Sequence, residues 1–182
     1  AETLLPLLSE DQSEAIGIAE GALSGYPGRF RDQYVARFRA KLGLPPEAPT
    51  ALIQECLDLL ALQEVDFTRF FRHLTCIGGG GHPRALSAMF AHSKPFEEWF
   101  TKWRAEAALP AHLSDMRRAN PVIIPRNHRV EQAIQSAYGG DFAVFHRLVD
   151  SLALPYTERA EFADLETPPR PDEIVHRTFC GT

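Results

Sequence analysis

Cysteine is scarce in this chain, with three among 182 residues: Cys56, Cys76 and Cys180. Their odd number, with no Cys-x-x-Cys pair, excludes a disulfide framework and the ligand spacing of a structural zinc site. Such sparse usage points to a reduced chain in the cytoplasm. Long apolar runs are missing too. No uninterrupted stretch reaches the roughly 18 residues a membrane helix needs, so no membrane span is expected. Positive charge is in deficit, with 19 Lys and Arg against 24 Asp and Glu and a net charge of -5. That balance argues against a general nucleic-acid binder. Seven histidines are scattered without a His-x-x-x-His pair, and there is no Gly-x-Ser-x-Gly and no cysteine with an obvious histidine partner. Helical zinc sites and the common nucleophile motifs are therefore absent. No credible set of alternating strands and no internal repeat occurs.

What is present is a series of helices separated by Gly and Pro. Ser9 reads as an N-cap for a helix with Ala15, Ile16, Ala19, Ala22 and Leu23 on its apolar face, ended by Gly25. Pro27 opens the next helix, where Phe30, Tyr34, Phe38 and Leu42 form a stripe expected to be buried. Arg29, Arg31, Arg37, Arg39 and Lys41 make that helix basic against Asp32 alone, which fits a solvated face. Thr50 caps a third helix running to about Gln63, and Asp66 a fourth, with Phe67, Phe70, Phe71 and Leu74 facing the core. A short helix follows from Arg84 to about His92. Pro95 opens one whose Phe96, Trp99, Phe100 and Trp103 read as core, and Pro110 opens another. Asp141 caps a last helix after the stop at Gly139-Gly140. Residues 1–153 thus predict an all-α, irregular multi-helix domain. Residues 154–182 predict an extended, proline-rich tail that wraps or dangles and ends in Cys-Gly-Thr.

Two glycine motifs can be set aside. Gly78 to Gly81 lacks the Lys-Ser or Lys-Thr that completes a phosphate-binding loop. Gly139-Gly140-Asp141-Phe142 is a helix stop followed by a cap, not a cyclase hairpin. Among the cysteines, Cys56 falls in an apolar pattern with Ile53, Leu57 and Leu60 and reads as core, and Cys76 closes a helix and reads as structural. Cys180, near the end of a tail, is a poor packing residue and a good reactive one.

The least generic stretch is Met116 to Arg129, Met-Arg-Arg-Ala-Asn-Pro-Val-Ile-Ile-Pro-Arg-Asn-His-Arg. Pro121 and Pro125 bracket three β-branched residues, and four arginines and His128 surround them with no acidic residue. Pro121 biases Asn120 away from the helical region, and Asn127 is a good N-cap for the helix that follows. Two roles stand open for Arg126, Asn127 and Arg129. They can strap helices together through hydrogen bonds to helix ends or carboxylates, or they can contact an anion.

From Asn120 onward the same stretch, continued as Val130-Glu131-Gln132-Ala133-Ile134, resembles a motif of the selenoprotein O (SelO) family. So do Gly140-Asp141-Phe142, Leu154-Pro155-Tyr156 and the ending Arg177-Thr-Phe-Cys-Gly-Thr182, with weaker matches at Leu4-Leu5-Pro6-Leu7 and Lys41-Leu42-Gly43-Leu44. The resemblance implies a pseudokinase, a protein of kinase-like fold that transfers AMP from ATP to Ser, Thr or Tyr of protein substrates with Mg or Mn. It also implies that the nucleotide, metal and catalytic residues lie upstream of Ala1, so that no catalytic, cofactor or metal residue is expected here. Leu4 to Leu8 read as the end of a helix begun earlier, and there is no initiator Met, so a C-terminal fragment is expected. The opening also lacks the pattern of a signal peptide. Its implied partners are the N-terminal kinase-like region of the same protein and the protein substrates. Cys180 stands where some family members carry selenocysteine, which implies a redox-regulatory thiol. The alternative reading is a helical module that docks substrates or partners.

Overall fold

The structure, a computed structural model, describes residues 4–109 and 111–176. Among these residues every regular element is helical: α1 (Gln12–Leu42), α2 (Ala51–Leu62), α3 (Phe67–Gly78), α4 (Arg84–Ser87), α5 (Ser93–Glu106), α6 (Leu113–Ala119), α7 (Asn127–Tyr138) and α8 (Ala143–Leu152). Short 3-10 turns occur at Leu5–Leu7, Ala160–Glu166 and Pro171–Glu173. The fold is all-α.

The helix break expected at Gly25 and Pro27 does not occur. One 31-residue helix, capped by the Asp11 carboxylate on the Glu14 N–H, runs through both residues. Pro27 removes the N–H that the Leu23 carbonyl would accept from. Arg29 folds back beside this gap, and its Nη2 donates to the neighbouring Ala22 carbonyl at 3.0 Å. Gly25 leaves room for this, since a Cβ there would stand 2.7 Å from Arg29 Nη1. The helix remains intrinsically weak in this half. A proline costs about 3 kcal/mol and each interior glycine about 1 kcal/mol relative to alanine, and Gly17, Gly21 and Gly28 face open space.

The stripe on α1 is buried only at its C-terminal end. Leu42 is fully buried and Phe38 packs against the core, whereas Tyr34, Phe30, Tyr26 and Leu23 stay exposed at 36%, 55%, 58% and 72%. A stripe buried along its whole length does not form, because among the described residues the main core gathers only the C-terminal turns of α1, at Val35, Phe38 and Leu42.

The main core gathers Leu42, Leu44, Leu52, Ile53, Cys56, Phe70, Phe71, Leu74, Phe96, Trp99, Trp103 and Met116. Each such large side chain contributes roughly 2 kcal/mol by leaving water. The tryptophans also find partners for their polar atoms. The Trp103 indole N–H donates to the Leu42 carbonyl at 2.7 Å and that of Trp99 to the Leu52 carbonyl at 3.0 Å, so α5 is tied to the buried C-terminal end of α1 and to α2. Gly43 ends α1 at φ 64, and a Cβ there would meet Met116 Sδ at 2.7 Å. Only glycine satisfies both the left-handed backbone and the approach of α6.

A smaller cluster joins Ile123, Ala133, Leu148 and Leu165, with Val130, Leu152 and Phe162 against it. It links the α7–α8 hairpin to residues beyond Leu154. The described part of the tail is therefore folded against α7 and α8 through two 3-10 turns. Other expectations shift by a few residues. The helix after His82-Pro83 stops at Ser87, and α5 begins at Ser93, with Pro95 in its first turn. Pro110 lies outside the described residues, and α6 begins at Leu113. Arg126, not Asn127, occupies the N-cap of α7. Asp141 does bond the start of α8, accepting from the Ala143 N–H at 2.9 Å.

Candidate functional site

The strap from Asn120 to Arg129 joins the two clusters, and its geometry starts from a buried amide. Asn120 is 1% exposed. Its Nδ2 donates to the Lys41 carbonyl at 2.8 Å and to Thr75 Oγ1 at 2.9 Å. Its Oδ1 accepts from Lys41 Nζ at 3.3 Å, and the same ammonium donates to the Ala119 carbonyl at 2.8 Å. The ammonium also lies over the rings of Phe71 and Phe67, 5.1 Å and 5.5 Å from their centroids. Burial depresses the Lys41 pKa, and the carbonyls and ring faces compensate the charge. A β-branched plug follows: Val122 and Ile123 are buried, and both backbone N–H groups donate to the Pro155 carbonyl, at 2.8 Å and 3.2 Å.

Arg126 then reaches α3. Its Nη1 and Nη2 donate to the two carboxylate oxygens of Asp66 at 2.7 Å and 3.2 Å. Asp66 also accepts the Arg69 N–H at 2.9 Å as N-cap of α3. Burial opposes ionisation of this carboxyl, but the hydrogen bonds from Arg126 and the Arg69 N–H outweigh it and hold its pKa below the usual value. Arg129 turns to the tail, donating to Gln132 Oε1 at 2.9 Å and to the Asp164 carbonyl at 2.8 Å. Arg147 forks onto the Asp164 carboxylate at 2.7 Å and 2.9 Å, and Arg159 donates to the carbonyls of Asp150 and Ser151 at the end of α8. Asn127 is exposed in the first turn of α7. The three candidate residues are thus not gathered at one point: Arg126 serves α3, Arg129 serves the tail and Asn127 faces solvent. The Nε atoms of Arg126 and Arg129 are buried without a protein acceptor among the described residues.

A polar cleft of about 240 Å³ lies beside the strap, lined by Arg69, Arg72, His73, Val122, Glu166 and Thr167 among others. Arg72 pairs with Glu158. Burial, then the charges of Arg69 and Arg72, lower the His73 pKa, and burial raises that of Glu166 against the pull of the arginines. This convergence was hidden in the sequence, because Glu166 is more than ninety residues from its neighbours on α3. The spacing of Arg69, Arg72 and His73 was the available signal, since it puts them on one face of α3. The Lys41–Asn120–Thr75 network was likewise hidden, although a lysine between Phe38 and Leu42 hints at it.

The redox candidate Cys180 lies outside the described residues. Cys56 is buried, and burial pushes its thiol pKa far up, which removes it as a thiolate. Cys76 is exposed, unlike the structural role expected of it. Among the described residues no three His, Cys, Asp or Glu side chains converge as metal ligands would, and no helix is long and apolar enough to cross a membrane. The residues present do not fit the metal that the resemblance implies for the whole protein.

Comparison with known proteins agrees with the residues of the strap. The family model described as "Protein adenylyltransferase SelO" matches residues 6–153. A "Protein nucleotidyltransferase YdiU" of Nitrobacter hamburgensis is 40% identical over 190 residues, covering 100% of this chain and 38% of that protein. Proteins of the same name from Bradyrhizobium sp. (strain ORS 278) and Rhodopseudomonas palustris (strain TIE-1) are 40% and 44% identical, and each is covered over 39% of its length. The chain therefore spans about two fifths of the length of the curated relatives it matches, and it belongs to the SelO family of protein nucleotidyltransferases.

Proposed function

We propose that this chain is the helical C-terminal portion of a protein adenylyltransferase, a cytoplasmic pseudokinase that transfers AMP from ATP to Ser, Thr or Tyr of protein substrates. In this reading the chain supports the kinase-like region and holds none of the ATP or metal ligands. One observation carries it: the whole chain aligns with only 38–39% of each relative's length. AMP transfer requires Mg or Mn to neutralise the triphosphate, and those ligands belong to the remainder of the protein. Arg126 and Arg129 act as structural ties, and Cys180 acts as a redox-regulatory thiol.

Incubation with labelled ATP tests the reading. The full-length protein is expected to label itself or another protein with AMP, and residues 1–182 alone to leave protein unlabelled. Robust labelling by residues 1–182 would overturn it. For Cys180, the Cys180→Ser variant of the full-length protein is expected to lose the response of AMP transfer to oxidant. An unchanged response removes the thiol from regulation.

A second reading rests on a separate observation. Between α7 and α8 runs an apolar groove of about 360 Å³, lined by Ile134, Phe142, Phe145 and Val149 among others. Such a groove suits an apolar helix or peptide of a protein substrate. Phe145→Ser in the full-length protein would then weaken labelling of one substrate while self-labelling stays intact.

A further inference from the structure

One face of α1, from Leu23 to Tyr34, poses a physical problem that the described residues do not solve. Leu23, Tyr26, Phe30 and Tyr34 recur at i, i+3, i+7 and i+11, so they lie along one face of the helix. All four are exposed. The rings form a ladder, Tyr26 to Phe30 at 5.9 Å, Phe30 to Tyr34 at 6.1 Å and Tyr34 to Phe38 at 4.7 Å. Phe38 then meets Phe67 and Phe71 at 6.3 Å each, inside the folded body. An apolar ridge therefore runs without a gap from the core out into solvent. It rides on a helix that carries an interior proline and three glycines, Gly17, Gly21 and Gly28, that no described residue packs against. A helix this weak depends on tertiary burial to persist, and an exposed aromatic ridge of this length marks an interface.

We infer that this ridge is the surface on which the remainder of the full-length protein docks, with Phe30 at its centre. The inference rests on the functional reading above in one respect, that the chain works joined to a larger catalytic part. The occupant follows from length and charge. About three fifths of each relative lies outside the segment this chain matches, enough to supply a complete apolar surface. Arg29 and Arg31 flank Phe30, and Arg37 lies one turn beyond Tyr34. The docked surface is accordingly apolar at its centre and acidic at its rim. A second copy of this chain fits poorly, because two-fold pairing about Phe30 sets Arg29 and Arg31 against their own counterparts.

The test uses the full-length protein with photoreactive benzoylphenylalanine in place of Phe30, and a control with the same group in place of Asp32 on the opposite face. After irradiation, Phe30 is expected to crosslink within the same chain to residues outside the 182-residue segment. Its yield should exceed that from position 32 by at least about tenfold. Crosslinking to a second copy, crosslinking only within the segment, or no crosslink would each overturn the inference. Activity supplies a second readout. Phe30→Glu is expected to lower AMP transfer at least about tenfold, while Asp32→Asn stays within about twofold of the parent. Equal activities for the two variants would overturn it. If the full-length protein transfers no AMP at all, the functional reading fails, and the crosslink map still decides the interface.

Discussion

Arg126 and Asp66 form a two-pronged ion pair, with N–O distances of 2.7 Å and 3.2 Å, between the N-cap of α7 and the N-cap of α3. The Arg126 side chain is only 9% exposed and that of Asp66 21%, so solvent screens the pair weakly. It ties the small α7–α8 cluster to the main core at one point. Removal of either member leaves the other charge poorly solvated.

Arg126→Ala is expected to destabilise the full-length protein by about 2–3 kcal/mol. Arg126→Lys recovers less than half of that loss, because one ammonium cannot reproduce the fork. Urea unfolding of the three proteins measures the difference. Equal stability of the Ala and parent proteins would show that the pair contributes nothing.

Asn120 uses its amide as both donor and acceptor, so a carboxylate there cannot replace it. Asn120→Asp loses the bonds to the Lys41 carbonyl and Thr75, and a cost of roughly 2 kcal/mol is expected at neutral pH. Thr75→Val removes one of the same bonds, so its cost and that of Asn120→Ala should combine to less than their sum. A double-mutant cycle by urea unfolding checks this.

Gly43→Ala combines a left-handed backbone with a Cβ 2.7 Å from Met116 Sδ. A loss of about 2 kcal/mol or more is expected. Adding Met116→Ala relieves the clash but opens a cavity, so it should not restore stability. Glu64, at φ 51, offers the reverse case. Glu64→Gly removes strain and is expected to add up to about 1 kcal/mol. Thermal unfolding reports both signs.

Acid stability should fall in two steps. Burial holds the pKa of His73 and of His128 below the ordinary 6.5. For a base with a depressed pKa, the unfolded chain takes up the proton first. Stability is therefore full above pH 6.5 and is lost as pH falls toward the folded values. Asp66 is a depressed carboxyl, so its contribution is present above 3.8 and is lost as pH falls through its lower folded value. His73→Gln together with His128→Gln should flatten the first step and leave the second. Urea midpoints from pH 7.5 to 3.5 follow both.

Much of the fold was legible because local rules and packing agree. Asp66 is a cap by chemistry and remains one in the structure, and Phe96, Trp99 and Trp103 lie on one face of α5 and are buried together. The failures have identifiable causes. Gly25 and Pro27 are strong breakers by composition, yet α1 runs unbroken through both. Phe30 and Tyr34 fit a buried stripe because periodicity reports a face, not whether anything covers it. Glu166 joins Arg69, Arg72 and His73 only through the return of the tail, which no local spacing encodes.

The order of residues alone determined the all-α class, the Asp66 cap and the family, because capping chemistry, apolar period and a distinctive motif are local properties of the chain. Tertiary structure decided what each arginine does. Arg126 meets Asp66 across sixty residues, and Arg129 and Arg147 meet the tail at Asp164, through contacts that exist only once distant segments pack. It also decided that the face of α1 from Leu23 to Tyr34 is left open by the described residues, since burial depends on where neighbouring helices end and not on how apolar a face is.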